Sequence, residues 1–421
     1  MLADPPPAAP RCLLIVPDGA INSRMGSGQR SGILFGALSR IGPTDVAILG
    51  ATPGGGEVET IDRPYFPGAA SAHRVQSARF PVRTPTGLAW LRYNLGRFLF
   101  VDRLYSPEQG LPERVARLLT PDHRIVAFRY ALPFAVTGPG VTDGRLAVVD
   151  IDDRDDQKFD TAAQALFRGG MLYRAFAARV LPKLRARLRV VLRDADLLWY
   201  AAAEDRLDIP GPGTDVIDNV PFTAGQTAPV PEESRELLFV GTFVHRPNQD
   251  GVRWFLREIW PRIHAADPSA RFRIVGLGPW NSLAAEFPGI AGVDFVGTVD
   301  DITAEYARSR IVVSPLVEGG GSKIKVIEAC AMSRPVVATP HSVRGFGSDL
   351  AGAIPQAGDP AGFAAACLAL LSDPQAADRL GTRLRALQQA RFSREAVESR
   401  IEKALREGLA TGSERVRSPG P

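Results

Sequence analysis

The sequence predicts an α/β protein made of two Rossmann-like domains. Short apolar runs typical of buried strands recur in both halves, at Cys12–Val16, Leu146–Ile151, Leu237–Val240 and Ile311–Val313. Segments with helical spacing lie between such runs, which is the pattern of a doubly wound parallel sheet. Residues 223–235 are rich in Pro, Thr and Gly and show no regular spacing of apolar residues. We therefore expect this segment to link two domains.

The composition is that of an ordinary globular protein. The 421 residues suffice for two or three domains. The 50 basic and 46 acidic side chains leave a net charge of only +4, so the overall charge gives no argument for a nucleic-acid partner.

The cysteines and the ends of the chain indicate the compartment. Cys12, Cys330 and Cys367 are scattered in apolar runs and are expected to be reduced core residues, as in a cytoplasmic protein. Residues 1–11 contain no apolar signal core and predict a flexible tail, as do residues 411–421. No stretch approaches the roughly 20 apolar residues of a membrane span. We therefore expect a cytoplasmic protein.

The first strand, Cys12–Val16, leads into a loop that contains glycines. The loop carries Gly26, Gly28 and Arg30 and precedes a helix predicted over Ser31–Arg40. A Gly-x-Gly pair after a strand is weak support for a dinucleotide site, because no third glycine or acidic partner stands at the required spacing. A dinucleotide site is therefore not indicated.

The next elements are predicted in chain order up to the acidic segment. Residues 52–66 are rich in Gly and Pro and predict a loop, whereas residues 85–120 predict two helices. Ile125–Phe128 predicts a strand that ends at Arg129, and a helix begins near Ala131.

Five carboxylates cluster at the end of the strand Leu146–Ile151, namely Asp150, Asp152, Asp153, Asp155 and Asp156. Asp-x-Asp spacing can hold a divalent metal, although no EF-hand glycine or closing glutamate follows. A second interpretation is contact with a substrate, because ligands of α/β sheets bind at the carboxyl ends of strands. A third is that solvated carboxylates cap the next helix. The residues alone leave all three open.

Residues 161–194 predict a long helical region that breaks at Pro182. Its second part interleaves leucines and valines with five basic residues, Lys183, Arg185, Arg187, Arg189 and Arg193. Basic amphipathic helices are typical of proteins that lie on anionic membranes, so peripheral membrane contact is one interpretation. The other, which we favour, is that the leucines pack on the domain and the arginines are solvated.

The segment Ile311–Thr339 predicts a ligand site. It reads IVVSPLVEGGGSKIKVIEACAMSRPVVAT, which is a strand, a loop with three glycines, a helix from Ser322 to about Ser333, and a second strand. Glycines let a ligand approach the backbone closely. Ser322 can cap the helix, whose free N–H groups and positive dipole end favour an anion such as a phosphate.

Two charged residues of this helix suit a sugar nucleotide. Lys325 and Glu328 are three positions apart and therefore share one face of the helix. The lysine would bind the pyrophosphate, and the glutamate would accept hydrogen bonds from the ribose hydroxyls. The alternative is a surface salt bridge at a helix start.

The glycine loop followed by KVIEACAMSRPVVAT resembles the donor-binding signature of GT-B glycosyltransferases, specifically the retaining family four. That signature usually holds two glutamates eight positions apart. Here Glu328 is the second, Gly320 stands at the first position, and Glu318 lies two residues earlier. The chain is similar to a branch with a glycine loop, a lysine and a single glutamate. The resemblance is strongest over residues 237–350 and weaker, but in register, over residues 12–222.

The resemblance implies a domain organisation. Two Rossmann-like domains would face a cleft, and the nucleotide sugar would lie mostly on the C-terminal one. The acceptor domain would span residues 12–222, the linker residues 223–235 and the donor domain residues 236–390. A helix over residues 391–410 would cross back onto the first domain.

The resemblance also assigns residues to the site. Donor contacts are expected from Gly241, Thr242, Arg246, Gly276, Val299, Gly320, Gly321, Ser322, Lys323, Lys325 and Glu328. Contacts on the acceptor side are expected from Gly26, Gly28, Arg30, Arg129 and Asp153. Asp152, which stands where the family often has a histidine, and Lys325 are the expected catalytic residues.

The reaction implied is the transfer of a sugar from a nucleotide-sugar donor to a glycan, lipid-linked or small acceptor, with retention of configuration. The nucleotide sugar is a substrate, so no cofactor is expected. Lysines would stabilise the leaving pyrophosphate without a metal. The alternatives are a nucleotide-sugar epimerase of the same architecture and a catalytically inactive nucleotide-sugar-binding protein, which Gly320 in place of a glutamate favours.

Overall fold

The computed structural model describes residues 9–22, 26–61, 65–80, 101–152, 154–167, 169–221, 225, 232–319 and 323–417. The chain forms two compact units, the first made of Met1–Ile217 with Val397–Pro421 and the second of Asp218–Ala396. The division thus falls a few residues before the predicted boundary at residue 222. Most of the predicted linker lies outside the described residues.

The first unit is built on an eight-stranded sheet of described residues in the order β3-β4-β2-β1-β5-β6-β7-β8. Its strands are β1 (Arg11–Pro17), β2 (Thr44–Gly50), β3 (Val58–Thr60), β4 (Ser71–Gln76), β5 (His123–Arg129), β6 (Leu146–Asp152), β7 (Leu197–Tyr200) and β8 (Gly213–Val216). Every neighbouring pair is parallel except the edge pair β3–β4. The central strands are buried and rich in apolar residues because helices cover both faces of such a sheet.

The helices of the first unit follow its strands. They are α1 (Gly26–Ile41), α2 (Val101–Leu104), α3 (Leu111–Ala116), α4 (Ala131–Thr137), α5 (Asp155–Phe167), α6 (Met171–Arg179) and α7 (Leu181–Leu192). Three short 3-10 turns occupy Asp18–Ala20, Pro139–Thr142 and Ala203–Asp205.

Several predictions for the first unit were wrong in extent or type. Strands β3 and β4 lie where a loop was predicted or nothing was assigned, because their polar, partly exposed residues lack an apolar run. Helix α1 begins at Gly26 rather than at Ser31. The helical region predicted over residues 161–194 with a break at Pro182 is three helices, with a break at Gly169–Gly170 and a junction at Val180, so Pro182 lies in the first turn of α7. Of the helices predicted over residues 85–120, the part up to residue 100 lies outside the described residues.

The second unit is built on a five-stranded parallel sheet of described residues in the order β11-β10-β9-β12-β13. Its strands are β9 (Glu236–Val240), β10 (Arg271–Val275), β11 (Val293–Gly297), β12 (Ile311–Ser314) and β13 (Val336–Ala338). Successive residues of β9 point to opposite faces, so Leu237 and Phe239 join one buried cluster and Leu238 joins the other.

The helices of the second unit cover both faces of this sheet. They are α8 (Arg246–Trp254), α9 (Trp260–Ala266), α10 (Asn281–Ala284), α11 (Ile302–Arg308), α12 (Ile324–Ala331), α13 (Gly347–Ala353), α14 (Pro360–Ser372) and α15 (Pro374–Phe392). One π-helical turn, Phe255–Ile259, joins α8 to α9. Helix α12 is shorter than predicted, and α8 begins at Arg246 because Pro247 suits a first helical turn.

The last helix, α16 (Arg394–Arg417), begins at the end of the second unit. From Val397 onward its residues group with the first unit, where the crossing helix was predicted to pack. It continues to Arg417 rather than fraying at residue 411, since no proline interrupts it before Pro419.

Candidate functional site

The carboxyl edge of the five-stranded sheet gathers most of the predicted donor residues. Because the strands are parallel, β9, β10, β12 and β13 all end at this edge. Ligands of open α/β sheets bind outside the carboxyl ends of the strands. The loops that follow β9, β10 and β12 therefore form the candidate donor site.

Two predicted glycines hold the first two loops together. The Gly241 N–H donates to Val275 O at 2.9 Å, and the Gly276 N–H donates to Gly297 O at 2.8 Å. Gly276 has a φ of 141°, and a Cβ at this position would collide with the backbone of Gly241. Both glycines are therefore needed for packing of the loops, and their contact with a donor stays a prediction.

Lys325 lies in the first turn of α12 with its ammonium turned towards the interior. Its Nζ donates to Asn248 Oδ1 and lies 4.6 Å from the centroid of the Phe239 ring. Burial, and then the nearby charge of Lys323, lowers the pKa of Lys325 to about 7. Among the described residues, no carboxylate forms an ion pair with it. A bound anion would supply the missing countercharge and favour the protonated lysine.

Asn248 connects Lys325 to the loop after β9, and sequence reasoning missed it. The side chain is 4% exposed, and its Nδ2 donates to Thr242 O at 2.9 Å. At this turn the resemblance implied a donor contact from Arg246. The side chain of Arg246 is 69% exposed and pairs with Asp250 at 3.1 Å. The sequence signal for the buried amide was the Pro-Asn pair at the helix start.

The described end of the glycine loop is fixed by two side chains that donate to one carbonyl. Lys323 Nζ donates to Gly319 O at 2.9 Å, and His341 Nε2 lies 2.9 Å from the same oxygen. Burial, assisted by Lys323, lowers the pKa of His341, so the neutral ring donates through Nε2–H. His341 was not predicted as a site residue. Gly320, Gly321 and Ser322 lie outside the described residues.

Glu328 is buried and already holds one hydrogen-bond donor. Its side chain is 5% exposed, and the hydroxyl of Tyr306 donates to Glu328 Oε2 at 2.9 Å. Burial raises the pKa of Tyr306, so the phenol keeps its proton. A carboxylate can accept several hydrogen bonds, so the contact with Tyr306 does not by itself exclude hydroxyl groups of a ligand.

The first unit contains a buried network of two arginines and two aspartates. Arg30 Nη2 donates to Asp150 Oδ1 at 2.6 Å, and Arg129 Nη1 donates to Asp150 Oδ2 at 2.8 Å. Arg129 Nη2 also donates to Asp152 Oδ2 at 2.5 Å. All four side chains are nearly inaccessible. The structure thus brings together Arg30, Arg129 and Asp152, which were predicted separately.

This network fixes the charge state of Asp152. Burial alone would raise the pKa of Asp152, but Arg129 and Arg30 hold it well below its usual value. Asp152 therefore accepts hydrogen bonds and does not donate a proton at neutral pH. Asp152 and Tyr130 both have positive φ, of 53° and 76°. Such backbone strain at two adjacent strand ends is typical of functional sites.

The other residues of the acidic cluster have different surroundings. Asp156 is not solvated, because it is fully buried and both Arg154 and Arg185 donate to it at 2.6 Å. Asp155 begins α5 and accepts from the hydroxyl of Tyr105 at 2.6 Å. Asp153 lies outside the described residues.

The remaining predicted residues have other surroundings. Gly26 begins α1, and a Cβ at Gly28 would collide with the backbone of Asn22. Val299 is partly buried against one core cluster of the second unit. Within the described part of the chain, no cluster of three or more His, Cys, Asp or Glu residues is placed to hold a metal ion.

Comparison with known proteins agrees with this geometry. Residues 234–373 match a family model described as Glycosyl transferases group 1. No curated protein matches this sequence. A sucrose-phosphate synthase from Thermosynechococcus elongatus is similar in structure, with a TM-score of 0.66 and 18% identity over 96% of this chain and 100% of the other.

Two further solved structures are similar. One is described as trehalose-6-phosphate from E. coli bound with UDP-2-fluoro glucose, with a TM-score of 0.60, 10% identity, and coverage of 94% of this chain and 99% of the other. The other is Anabaena HepE in complex with UDP, with a TM-score of 0.58, 12% identity, and coverage of 94% and 100%. These likenesses show the GT-B fold, with two Rossmann-like domains.

The domain match indicates a glycosyltransferase. The group 1 domain spans strands β9 to β13 and therefore includes Lys325, Asn248 and Glu328. This fold supports glycosyl transfer from a nucleotide sugar. In the described part of the chain, no helix combines the length and the apolar character needed to cross a bilayer.

Proposed function

We propose that this glycosyltransferase binds the pyrophosphate of its nucleotide sugar at the carboxyl edge of the second sheet, and that it retains the anomeric configuration without a metal. The observation that carries the proposal is Lys325. It is a partly buried cation in a first helical turn, held by a neutral amide, with a pKa lowered to about 7. A site of this kind favours a bound anion.

The lysines would act on the leaving group. As the bond between the anomeric carbon and the β-phosphate oxygen breaks, negative charge grows on the departing nucleoside diphosphate. Lys325, Lys323 and the free N–H groups of α12 would stabilise that charge. The acceptor oxygen forms the new bond to the anomeric carbon and loses its proton. Glu328 would accept hydrogen bonds from the ribose hydroxyls.

Asp152 would serve the acceptor domain as a fixed hydrogen-bond acceptor. Arg129 and Arg30 keep it ionised and hold its carboxylate in one orientation. A carboxylate in that state can orient a sugar hydroxyl. It cannot act as a general acid near neutral pH.

The acceptor would be a glycan, a lipid-linked sugar or a small molecule, as in polysaccharide biosynthesis, and the reaction would take place in the cytoplasm. The first donor to try is UDP-glucose, because two of the similar structures are described with UDP or a UDP-glucose analogue. GDP-sugars and ADP-sugars are the other donors to test.

The test is release of nucleoside diphosphate from each sugar nucleotide, with the product's anomeric configuration read by NMR. We expect release with one donor, retention of configuration, and the same rate in excess EDTA. Loss of activity in EDTA that manganese or magnesium restores would contradict the metal-free mechanism. Interconversion of two nucleotide sugars without release would show an epimerase. Binding without turnover, in the presence of acceptors of each class, would show an inactive binding protein.

A further inference from the structure

Helices α6 and α7 of the first unit carry positively charged side chains and no negatively charged ones. Residues 171–193 contain seven basic side chains and no carboxylate. The backbone of Val180, between the helices, has φ −94° and ψ −46°, and the Leu184 N–H donates to Val180 O at 2.9 Å. Side-chain directions therefore continue with the helical period of 3.6 residues from α6 into α7.

The inward side of these helices is apolar. Phe176, Leu181, Leu184, Leu188 and Leu192 are buried and belong to the core cluster of the first unit. The leucines of the basic segment thus pack on the domain. Two of the basic residues also turn inward, since Arg185 pairs with Asp156 and Arg187 Nη2 donates to Tyr105 O at 2.9 Å.

The outward side combines exposed cations with exposed apolar side chains. At the start of α6, Met171 is 85% exposed and Leu172 is 69% exposed. The exposed basic residues are Arg174, Arg179, Lys183, Arg189 and Arg193. The side chains of these five form no hydrogen bond or ion pair with any residue that the structure describes. We call these seven residues the α6–α7 basic face.

We propose that the α6–α7 basic face docks on an anionic lipid membrane. Arginine and lysine side chains on one side of a helix attract anionic headgroups, and Met171 and Leu172 would enter the boundary between headgroups and acyl chains. Membrane binding of this kind adds burial of apolar area to electrostatic attraction. Neither contribution requires a helix that spans the bilayer.

The residues favour a lipid surface over a nucleic acid. Sites for single-stranded nucleic acid combine basic residues with aromatic side chains on which bases stack. In the described segment 171–193, Phe176 is buried and Tyr173 is only partly exposed, and its hydroxyl donates to Asp160 at 2.9 Å. The large exposed side chains are instead aliphatic. The surface lies outside the donor site, so the proposal does not depend on glycosyl transfer.

The test is co-sedimentation of the full-length protein with vesicles of phosphatidylcholine alone or mixed with phosphatidylglycerol. We expect binding to the anionic vesicles only, and weaker binding as salt rises. The variant Arg179→Glu, Lys183→Glu, Arg189→Glu should bind on the order of a hundredfold more weakly. Reversal of the exposed arginines Arg262, Arg379 and Arg383 in the second unit makes the same charge change and should leave binding nearly unchanged.

A second variant separates the apolar contribution from the electrostatic one. Met171→Ser with Leu172→Ser keeps every charge and alters two exposed side chains, so the fold should persist, which circular dichroism checks. Its binding to anionic vesicles should fall severalfold. Equal binding by the α6–α7 triple variant and the control triple variant would overturn the proposal, as would no binding to anionic vesicles. Tighter binding to single-stranded RNA than to the vesicles at the same salt concentration would overturn it as well.

Discussion

Lys325 makes donor binding depend on pH. Its free-state pKa is lowered to about 7 because of burial and Lys323, whereas a bound pyrophosphate would raise it. Binding therefore takes up a proton above that pKa, and affinity should fall as pH rises from about 7 to about 9, by up to about tenfold per pH unit.

Calorimetry with a nucleotide sugar checks this, since its pyrophosphate diester has no group that titrates near neutral pH. Lys325→Ala should weaken binding by about 1.5–3 kcal/mol and flatten the profile. Lys403→Ala, at an exposed lysine, is the matched control and should change neither the affinity nor its dependence on pH. An unchanged affinity in Lys325→Ala would show that this lysine does not bind the donor.

Asn248 should control the charge of Lys325. Asn248→Asp keeps the size of the side chain but places a carboxylate against the ammonium, which raises the pKa of the lysine. The variant should bind nucleotide sugar more weakly, because the new carboxylate competes with the pyrophosphate, and its affinity should no longer fall between about pH 7 and about pH 9. The same titration in calorimetry measures both effects. A variant that keeps the pH profile of the parent protein would argue against the contact.

Glu328 should favour ligands that carry the ribose hydroxyls over analogues that lack them. Glu328→Gln removes the charge and keeps the shape, so binding of a nucleotide sugar should weaken by about 1.5–3 kcal/mol. A 2′,3′-dideoxy analogue lacks the hydroxyls and should bind both proteins about equally. If the substitution weakens binding of the analogue and the parent ligand in the same ratio, the assignment to ribose is wrong.

At the residue scale, site residues could be predicted from the sequence where their spacing along the chain places them on one face of a helix. Lys325 and Glu328 share a face of one helix because they are three apart, which the sequence shows directly. Asn248 reaches Lys325 across 77 positions of the chain, and Tyr306 reaches Glu328 across 22. Such contacts depend on which strands are neighbours in the sheet. Arg246 was expected from the resemblance, and its surface position depends on the fold around it.

At the scale of elements, Asp156 joins α5 to α7 through Arg185. Burial alone would raise the pKa of Asp156, but Arg154 and Arg185 lower it. A carboxylate with a lowered pKa contributes stability above its unfolded pKa, near 4, and that contribution is lost as pH falls below this value. Asp156→Asn should therefore lower the free energy of unfolding at pH 7 by about 1–3 kcal/mol.

Urea denaturation measures this effect. Because Arg185 is 46% exposed, the lower end of that range is expected. Asp194→Asn, at an exposed residue just after α7, is the control and should change stability little. The difference between Asp156→Asn and the parent protein should shrink at acidic pH. A constant difference from pH 7 down to about pH 3 would contradict the ion-pair account.

Strands were predictable where burial makes them apolar. The central strands β1, β6 and β9 each contain a run of four or more apolar residues, and they were predicted to within a residue or two. Strand β4 reads SAHRVQ and pairs with the antiparallel edge strand β3. Only Ala72 and Val75 are buried in it, so it carries no such signal. The helix α12 starts later than predicted, at Ile324, with Lys323 at its cap position.

At the scale of the whole molecule, two α/β units follow from the alternation of strands and helices along the chain. The sequence placed their division near a Pro-rich segment, and the compact units divide at Ile217–Asp218. The return of the last helix to the first unit was inferred from a resemblance, since local periodicity does not say where a helix packs. The buried Arg30–Asp150 pair joins residues 120 positions apart and likewise had no local signal.

The central claim is that a nucleotide sugar binds the second unit through Lys325. Thermal unfolding of the parent protein and of Lys325→Ala, each with a panel of UDP-, GDP- and ADP-sugars, tests it most directly. A ligand present at about 100 times its dissociation constant stabilises the folded protein by about 2.7 kcal/mol. We predict that one sugar nucleotide raises the Tm of the parent protein by several degrees and that the shift is largely lost in Lys325→Ala. An equal shift in both proteins, or no shift with any nucleotide sugar, would contradict the account.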